Sequence, residues 1–434
     1  MAILARWPLL SDALWYDEVF TLTIASASPH AAFGAILGDV HPPLFYLITR
    51  LTPGAVRWPA LAFGLLALWL AWLVFTDLAR PKVGILAWGL LVLSPTAIYY
   101  SAEARMYSLL LALVLLATLA TLKQRPWLFG LAVALGLLTH NLFCLYIPGL
   151  MLLQRQTHWR WLETAQGYGL ASTLYAPWAW FAWRQLGAVQ GQGYWLNYYG
   201  PGHSLLDVLQ VISGQWLTTW PLVIGGFLSL VLLGLGTLAA IQCRNWPILG
   251  LAWGPGLMAW LISWLFIPIM MPRVLIGALP FLLLLVVWGY QRLEAIAGRW
   301  AWSLAVVPLV CWLSVYQPIR PDYATLFASL AISPGQICAH LTPGSLLLAR
   351  HYTPQCRHVL WPDWQRRPNG LSPATVAALD FPHGPLDGAD WLFYTTSPFS
   401  TPQELAYLAG LPAGSASSMV EGGFYHHQVW RLRE

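Results

Sequence analysis

Apolar runs of about twenty residues, long enough to cross a bilayer, recur along the chain between short polar breaks. They cover Arg57–Leu78, Val83–Tyr99, Met106–Leu122, Trp161–Trp183, Leu222–Ile241, Pro247–Phe266, Val274–Tyr290 and Trp300–Tyr316. Pro126–Leu138 and Leu142–Leu153 form a shorter pair joined at Thr139-His140-Asn141. The pattern predicts an α-helical polytopic membrane protein with about ten spans. Residues 11–54 break every apolar run with acids or prolines. There Thr21–Ala27 and Ala31–Leu37 read as short interfacial helices, and Pro42–Leu51 as a third, too short to span. Arg184–Asp207, with Gly191, Gly193, Gly200, Pro201 and Gly202, reads as a long loop or lid.

Beyond Gln317 the pattern changes to mixed polarity with many prolines, which predicts a small soluble C-terminal α/β domain. Its expected strands are Ser345–Leu348 and Trp391–Tyr394, its helices Thr375–Leu379 and Gln403–Leu408. Pro343-Gly344 and Pro385–Gly388 read as turns. The expected division is 1–56 (an outer-face segment with interfacial helices), 57–316 (the helical membrane domain) and 317–434 (the C-terminal domain). The opening residues Met1–Leu10 lack the apolar core of a cleavable signal peptide.

Composition supports a membrane solvent: 58% of residues are hydrophobic and 9% charged, with a mean hydropathy of +0.59. The net charge of +5 reflects orientation rather than nucleic-acid binding, because the basic residues sit in short loops. One set of loops carries nine, Arg80, Lys82, Lys123, Arg125, Arg155, Arg160, Arg244, Arg292 and Arg299; the opposite set carries six. The positive-inside rule places the richer set in the cytoplasm. Asp17, Glu18, Asp39, Glu103, Arg105, His140 and Arg273 then share the outer face with the C-terminal domain.

Of the five cysteines, Cys144, Cys243 and Cys311 lie in or beside apolar runs and read as small buried hydrophobes. Cys338 and Cys356 are in the tail and could pair if it is outside the cytosol. There is no CxxC pair, zinc spacing, GxGxxG, P-loop, HExxH or GxSxG motif.

Charge beside such apolar sequence is costly unless it serves chemistry. Asp17-Glu18 precedes an interfacial helix, where partial desolvation makes a carboxylate a competent general base. The bland alternative is a pair of acids favoured by a helix dipole. Asp39 and His41 precede the stiff Pro42-Pro43 step; Asp39 has the chemistry to bind a metal or orient an acceptor, His41 to contact a phosphate. Glu103, Arg105 and Tyr107 form a third group, either a local charge pair or an anion site. His140 and Arg273 read either as a polar loop residue and a snorkelling cation, or as substrate contacts.

Leu14-Trp15-Tyr16-Asp17-Glu18 with Thr21, and Asp39-Val40-His41-Pro42-Pro43-Leu44-Phe45-Tyr46, resemble the first outer loop of GT-C glycosyltransferases. The similarity is to family 39, which includes the protein O-mannosyltransferase-like and aminoarabinose-transferase-like enzymes. Arg57-Trp58-Pro59-Ala60, Ser94-Pro95, Tyr99 through Tyr107, Thr139-His140 and Pro272-Arg273 extend the resemblance over residues 14–280. It implies a polyprenyl-phosphate-sugar donor, a lipid, glycan or protein acceptor with a hydroxyl, and no nucleic acid. On this resemblance Asp17 matches the acid that deprotonates the acceptor, with Glu18 and Asp39 shaping that site. Arg105 and Arg273 match the lipid-phosphate ligands, and His41, Glu103, Tyr107 and His140 belong to the substrate site. Some members use a divalent metal ion, for which Asp39 and His140 are the candidate ligands. The rivals are a flippase of lipid-linked glycans and a non-catalytic lipid-binding homologue. A flippase predicts acids at mid-membrane and a repeated half, and the sequence shows neither.

Overall fold

The computed structural model describes residues 2–192, 200–214, 220–298, 322–364, 371–396, 400–411, 416–422 and 425–432, to which every structural statement refers. Three short helices come first: α1 (Tyr16–Ser26), α2 (Pro29–Gly38) and α3 (Leu44–Thr49). Each starts where the sequence provides a cap or a proline. The Trp15 N–H donates to the Glu18 side chain at 3.3 Å, and Ser28 accepts from the Ala31 N–H at 3.3 Å ahead of Pro29. A side chain that accepts one of a helix's unpaired first N–H groups fixes where the helix begins.

The bundle follows, as α4 (Trp58–Leu78), α5 (Pro81–Leu93), α6 (Pro95–Ser101), α7 (Tyr107–Leu122), α8 (Pro126–Thr139), α9 (Ile147–Gln156) and α10 (Trp161–Gln192). It continues as α11 (Pro201–Ser213), α12 (Trp220–Gln242), α13 (Trp246–Ala252), α14 (Gly254–Leu265) and α15 (Leu279–Ala297). By length and composition three helical stretches can cross a membrane: Trp58–Leu78, Gly225–Gln242 and Leu279–Ala297. The pairs α5/α6, bent by 55°, and α13/α14, bent by 49°, raise the number to five among the described residues, against about ten expected. Proline is the reason for both bends. Pro95 and Pro255 each open a new helix within an apolar run, where they cannot continue the hydrogen-bond ladder of the last one. The expected span at Trp300–Tyr316 lies outside the described residues.

The expected lid is largely helical instead. α10 continues to Gln192 through Pro177, and Pro201 opens α11 behind Gly200, whose φ of +93° suits glycine. Residues 193–199 lie outside the description. Helices α12 and α15 meet through small residues: a Cβ on Gly236 would run into the Leu285 carbonyl, and one on Gly289 into that of Leu232. Such close approach replaces the hydrophobic driving force that lipid does not provide.

The tail contains α16 (Tyr323–Ser329), β1 (Ile337–His340), α17 (Pro343–Tyr352), β2 (Arg357–Leu360), α18 (Pro373–Ala378), β3 (Trp391–Thr396), α19 (Pro402–Ala409), β4 (Ala416–Gly422) and β5 (Tyr425–Arg431). The strands form one sheet in the order β2-β1-β3-β5-β4, parallel across β2-β1-β3 and antiparallel across β3-β5-β4. The strand at Trp391 and the helices near Thr375 and Gln403 are as expected. Ser345–Leu348 is not a strand, and Pro343-Gly344 is not a turn; both belong to α17. Thr342 accepts from the Ser345 N–H at 3.4 Å and Pro343 occupies the first turn, a helix start. Leu346, Leu347 and Leu348 are all buried, so the run lacks the 3.6-residue period of a one-sided helix.

The first segment and the tail share one core. Val19, Phe20 and Ile24 of α1 and Ala35 and Ile36 of α2 pack with Leu346, Val376 and Phe393. Tyr352 donates to the Leu14 carbonyl at 2.6 Å and Thr375 to the Ala35 carbonyl at 3.2 Å. Helix α18 lies directly on α2, where a Cβ on Gly38 would sit 2.6 Å from the Ser372 hydroxyl and 2.8 Å from the Thr375 nitrogen. Gly38→Val should therefore cost about 1–3 kcal/mol, read as a lower thermal midpoint in detergent. Gly54→Ala, with open space around it, should leave the midpoint unchanged.

Within the sheet, His340 and His358 form a buried neutral pair. His358 Nε2 donates to the Thr353 carbonyl at 2.9 Å, which leaves its Nδ1 to accept from His340 Nε2 at 3.0 Å. Burial pushes both imidazoles below the ordinary histidine value of 6.5. The unfolded chain then binds more protons than the folded one just below pH 6.5, so stability is full above that pH and falls as the solution is acidified. Between pH 7.5 and 5.5 the thermal midpoint should drop, and His340→Phe should reduce the drop.

Candidate active site

Each side chain of the site is placed by a helix end or a tight turn. Asp17 and Glu18 occupy the first turn of α1, Asp39 ends α2, and His41 lies in the turn before α3. Tyr46 projects from α3. The α5/α6 bend delivers the buried turn Glu103-Ala104-Arg105, closed by the Arg105 N–H on the Glu103 carbonyl at 2.6 Å, and Tyr107 begins α7 behind it. His140 caps α8, and Arg273 lies on the short 3-10 helix Pro272–Leu275 before α15.

The hydrogen bonds run in a chain. Arg105 Nη1 donates to the Tyr46 hydroxyl at 3.1 Å, and that hydroxyl donates to Asp39 Oδ2 at 2.7 Å. His41 Nδ1 donates to the same oxygen at 3.1 Å. With Nδ1 acting as donor there, Arg105 Nη2 at 3.4 Å is an electrostatic neighbour of His41 rather than a hydrogen-bond partner. Burial alone would raise the pKa of Asp39, but His41, Arg105 and the hydrogen bonds from His41 and Tyr46 outweigh it and hold the pKa at about 2. Asp39 is thus a fixed carboxylate with its best oxygen already occupied. His140 is kept neutral, chiefly by burial and then by His41, Arg273 and Arg105. Its Nδ1 accepts from the Leu142 N–H at 3.1 Å, and its ring stands edge-on to His41 with centroids 5.6 Å apart.

Asp17 pairs with the second guanidinium, that of Arg273. Its Oδ2 lies 3.8 Å from Arg273 Nη1, and both side chains keep about a quarter of their surface open (22% and 24%), unlike the buried Arg105. The Arg273 guanidinium also lies over the Tyr107 ring at 5.9 Å, and that of Arg105 over Tyr46 at 5.9 Å. Two carboxylates and two guanidiniums therefore cluster around Tyr46, Tyr107 and two histidines.

Glu18 stands apart from this cluster. It is fully buried and paired with Arg57 through two bonds, Oε1 to Nε at 2.7 Å and Oε2 to Nη2 at 2.6 Å. Oε1 also accepts from the Ala104 N–H at 2.9 Å, while Arg57 donates to the carbonyls of Leu9, Asp12 and Ala13. The pair thus fastens the start of α1 to the turn that carries Arg105. Glu103 is likewise buried, with the Tyr99 hydroxyl 3.5 Å from its Oε1.

Solved structures of ArnT from Cupriavidus metallidurans resemble this chain over its whole length. The apo form aligns with a TM-score of 0.54 at 14% identity, and the form bound to undecaprenyl phosphate with 0.53 at 15%. Each alignment covers 99% of this chain and 96% of ArnT. The chain has the ArnT fold. It agrees with the fold that the resemblance of residues 14–280 implied. No protein-family model matches the sequence, and no curated protein matches it. At such identity the likeness to ArnT resides in the path of the helices, and the site must be argued from its own residues.

Asp39 and His140 are the candidate ligands for a divalent ion. Among the described residues no three His, Cys, Asp or Glu side chains converge on a point. Asp39 Oδ2 is occupied by Tyr46 and His41 and His140 Nδ1 by a backbone N–H, so an ion would take Asp39 Oδ1 and His140 Nε2. Sequence reasoning missed Tyr46 and Arg57 as partners. Tyr46 ended a motif whose weight lay on Asp39 and His41. Arg57 looked like the polar boundary of a span, although a buried Glu18 requires a counter-charge.

Proposed function

We propose that the chain is an integral glycosyltransferase of a bacterial plasma membrane, transferring a hexosyl or pentosyl unit from a polyprenyl-phosphate donor to a hydroxyl acceptor at the outer, periplasmic face. The observation that supports it best is the juxtaposition of an accessible carboxylate, Asp17, with the Arg273 guanidinium at 3.8 Å. Undecaprenyl phosphate bound to a protein of the same fold supports the donor class.

The chemistry follows from the charges. Asp17 accepts the proton of the acceptor hydroxyl as that oxygen attacks the anomeric carbon from the face opposite the phosphate, which inverts the centre. The bond between the anomeric carbon and the phosphate oxygen breaks, and the polyprenyl phosphate leaves with both electrons. Arg273 and Arg105 are placed to bind the phosphate as its charge grows. Asp39, already ionised, holds Tyr46 and through it Arg105, and therefore acts as a positioning residue.

The full-length protein, reconstituted in vesicles with a panel of polyprenyl-phosphate sugars and hydroxyl acceptors, should release polyprenyl phosphate in step with glycoside formation. Arg273→Gln should reduce kcat/KM by about 10- to 100-fold through loss of a charge-assisted contact. Lipid movement across the vesicle without bond cleavage would overturn the proposal.

A further inference from the structure

The two tail cysteines are neighbours in the sheet. Cys338 lies on β1 and Cys356 immediately precedes β2, and the pairing of Ile337 with Arg357 sets them diagonally across adjacent parallel strands. Both thiols are buried, at 0% and 9% exposure, and neither is disulfide-bonded in the fold. Helix α17 connects the two strands. Its Tyr352 donates to the Leu14 carbonyl, and its Gly344 lies against the Tyr16 ring, where an added Cβ would stand 3.3 Å from Cε2.

We propose that Cys338 and Cys356 are joined by a disulfide in the mature protein, and that this bond closes the β1-α17-β2 unit that steadies the start of α1, and with it Asp17. The inference rests on the outer-face reading above, because such a bond persists only in an oxidising compartment. Before β1-α17-β2 closes both thiols are accessible and either can attack first, Cys356 for instance. Its thiolate displaces one sulfur of a protein disulfide donor of that compartment and forms a mixed disulfide. Cys338 then gives up its proton and attacks the Cys356 sulfur, releasing the second donor sulfur. Two S–H bonds are lost, one S–S bond is gained, and the donor leaves as a dithiol with both electrons and both protons. Burial of the pair in the folded sheet places this exchange before β1-α17-β2 has closed.

The test uses the full-length protein, denatured in excess N-ethylmaleimide and digested before mass analysis. The expected result is one linked pair of peptides containing Cys338 and Cys356, with the alkylator on neither until a reductant is added. Reduction, or the double substitution Cys338→Ser/Cys356→Ser, should lower the thermal midpoint by about 5 °C. In parallel, Leu405→Cys at an exposed tail position is treated with a membrane-impermeant maleimide in spheroplasts. Labelled Leu405→Cys with both native thiols alkylated before reduction would overturn the disulfide and leave the outer-face reading standing. An unlabelled Leu405→Cys that a permeant maleimide does label would overturn the outer-face reading and the proposal with it.

Discussion

Asp17→Asn should leave the protein folded and slow sugar transfer by about 10²–10⁴-fold, the usual worth of a positioned general base. The substitution keeps the size of the side chain and removes only its capacity to take a proton. Among the described residues its carboxylate pairs with Arg273 at 3.8 Å, too distant for a hydrogen bond, so little structure depends on it. The measurement is single-turnover release of polyprenyl phosphate, with the thermal midpoint as the control for folding. Transfer within tenfold of wild type would assign the base elsewhere. Asp39→Asn should behave differently, because Asp39 Oδ2 receives Tyr46 and His41 and its loss frees Arg105 to move. Its deficit should fall on donor binding, as a raised KM, at least as heavily as on kcat.

Glu18→Ala should destabilise the protein by about 3–5 kcal/mol, because it leaves the buried Arg57 without its counter-charge. The Ala104 N–H would also lose its acceptor, loosening the turn before Arg105. Denaturation in detergent should show a clear loss of midpoint. The double substitution Glu18→Leu/Arg57→Leu should recover much of it, since a buried ion pair is often no better than apolar residues of similar volume. An unchanged midpoint in Glu18→Ala would refute the structural reading. Activity offers a second readout: Glu18→Gln, which keeps part of the hydrogen bonding, should retain more transfer than Glu18→Ala.

The helices were legible where one face or a whole rod is apolar. α4, α7 and α12 begin and end within a few residues of the hydrophobic runs and α2 begins behind Ser28, whereas α1 starts at Tyr16 rather than Thr21 and takes Asp17 and Glu18 into its first turn. What the pattern hid was the breaking of rods by proline. An apolar run through Ser94-Pro95 reads as one span, yet the missing N–H forces a second helix at 55° to the first. The tail misled for the opposite reason, since Leu346–Leu348 are buried all round and carry no period. For the site, the charged residues were conspicuous because they are rare. The difference between the roles of Asp17 and Glu18 was not visible, because adjacent acids on a helix point about 100° apart and only the surrounding helices decide which one is sealed.

The doubled guanidinium has a consequence for turnover. On the proposed reaction the donor is a phosphodiester with one negative charge, while the departing lipid is a monoester that approaches two. Arg105 and Arg273, opposed by Asp17 and Asp39, make a resting site near neutrality, and once Asp17 has taken the acceptor's proton the site gains one net positive charge, which matches the extra negative charge of the departing phosphate. The same field that lowers the barrier to cleavage therefore holds the spent lipid more tightly than the fresh one. An enzyme built this way would be inhibited by its own lipid product, and its steady-state rate would be set by how quickly the membrane carries that product away.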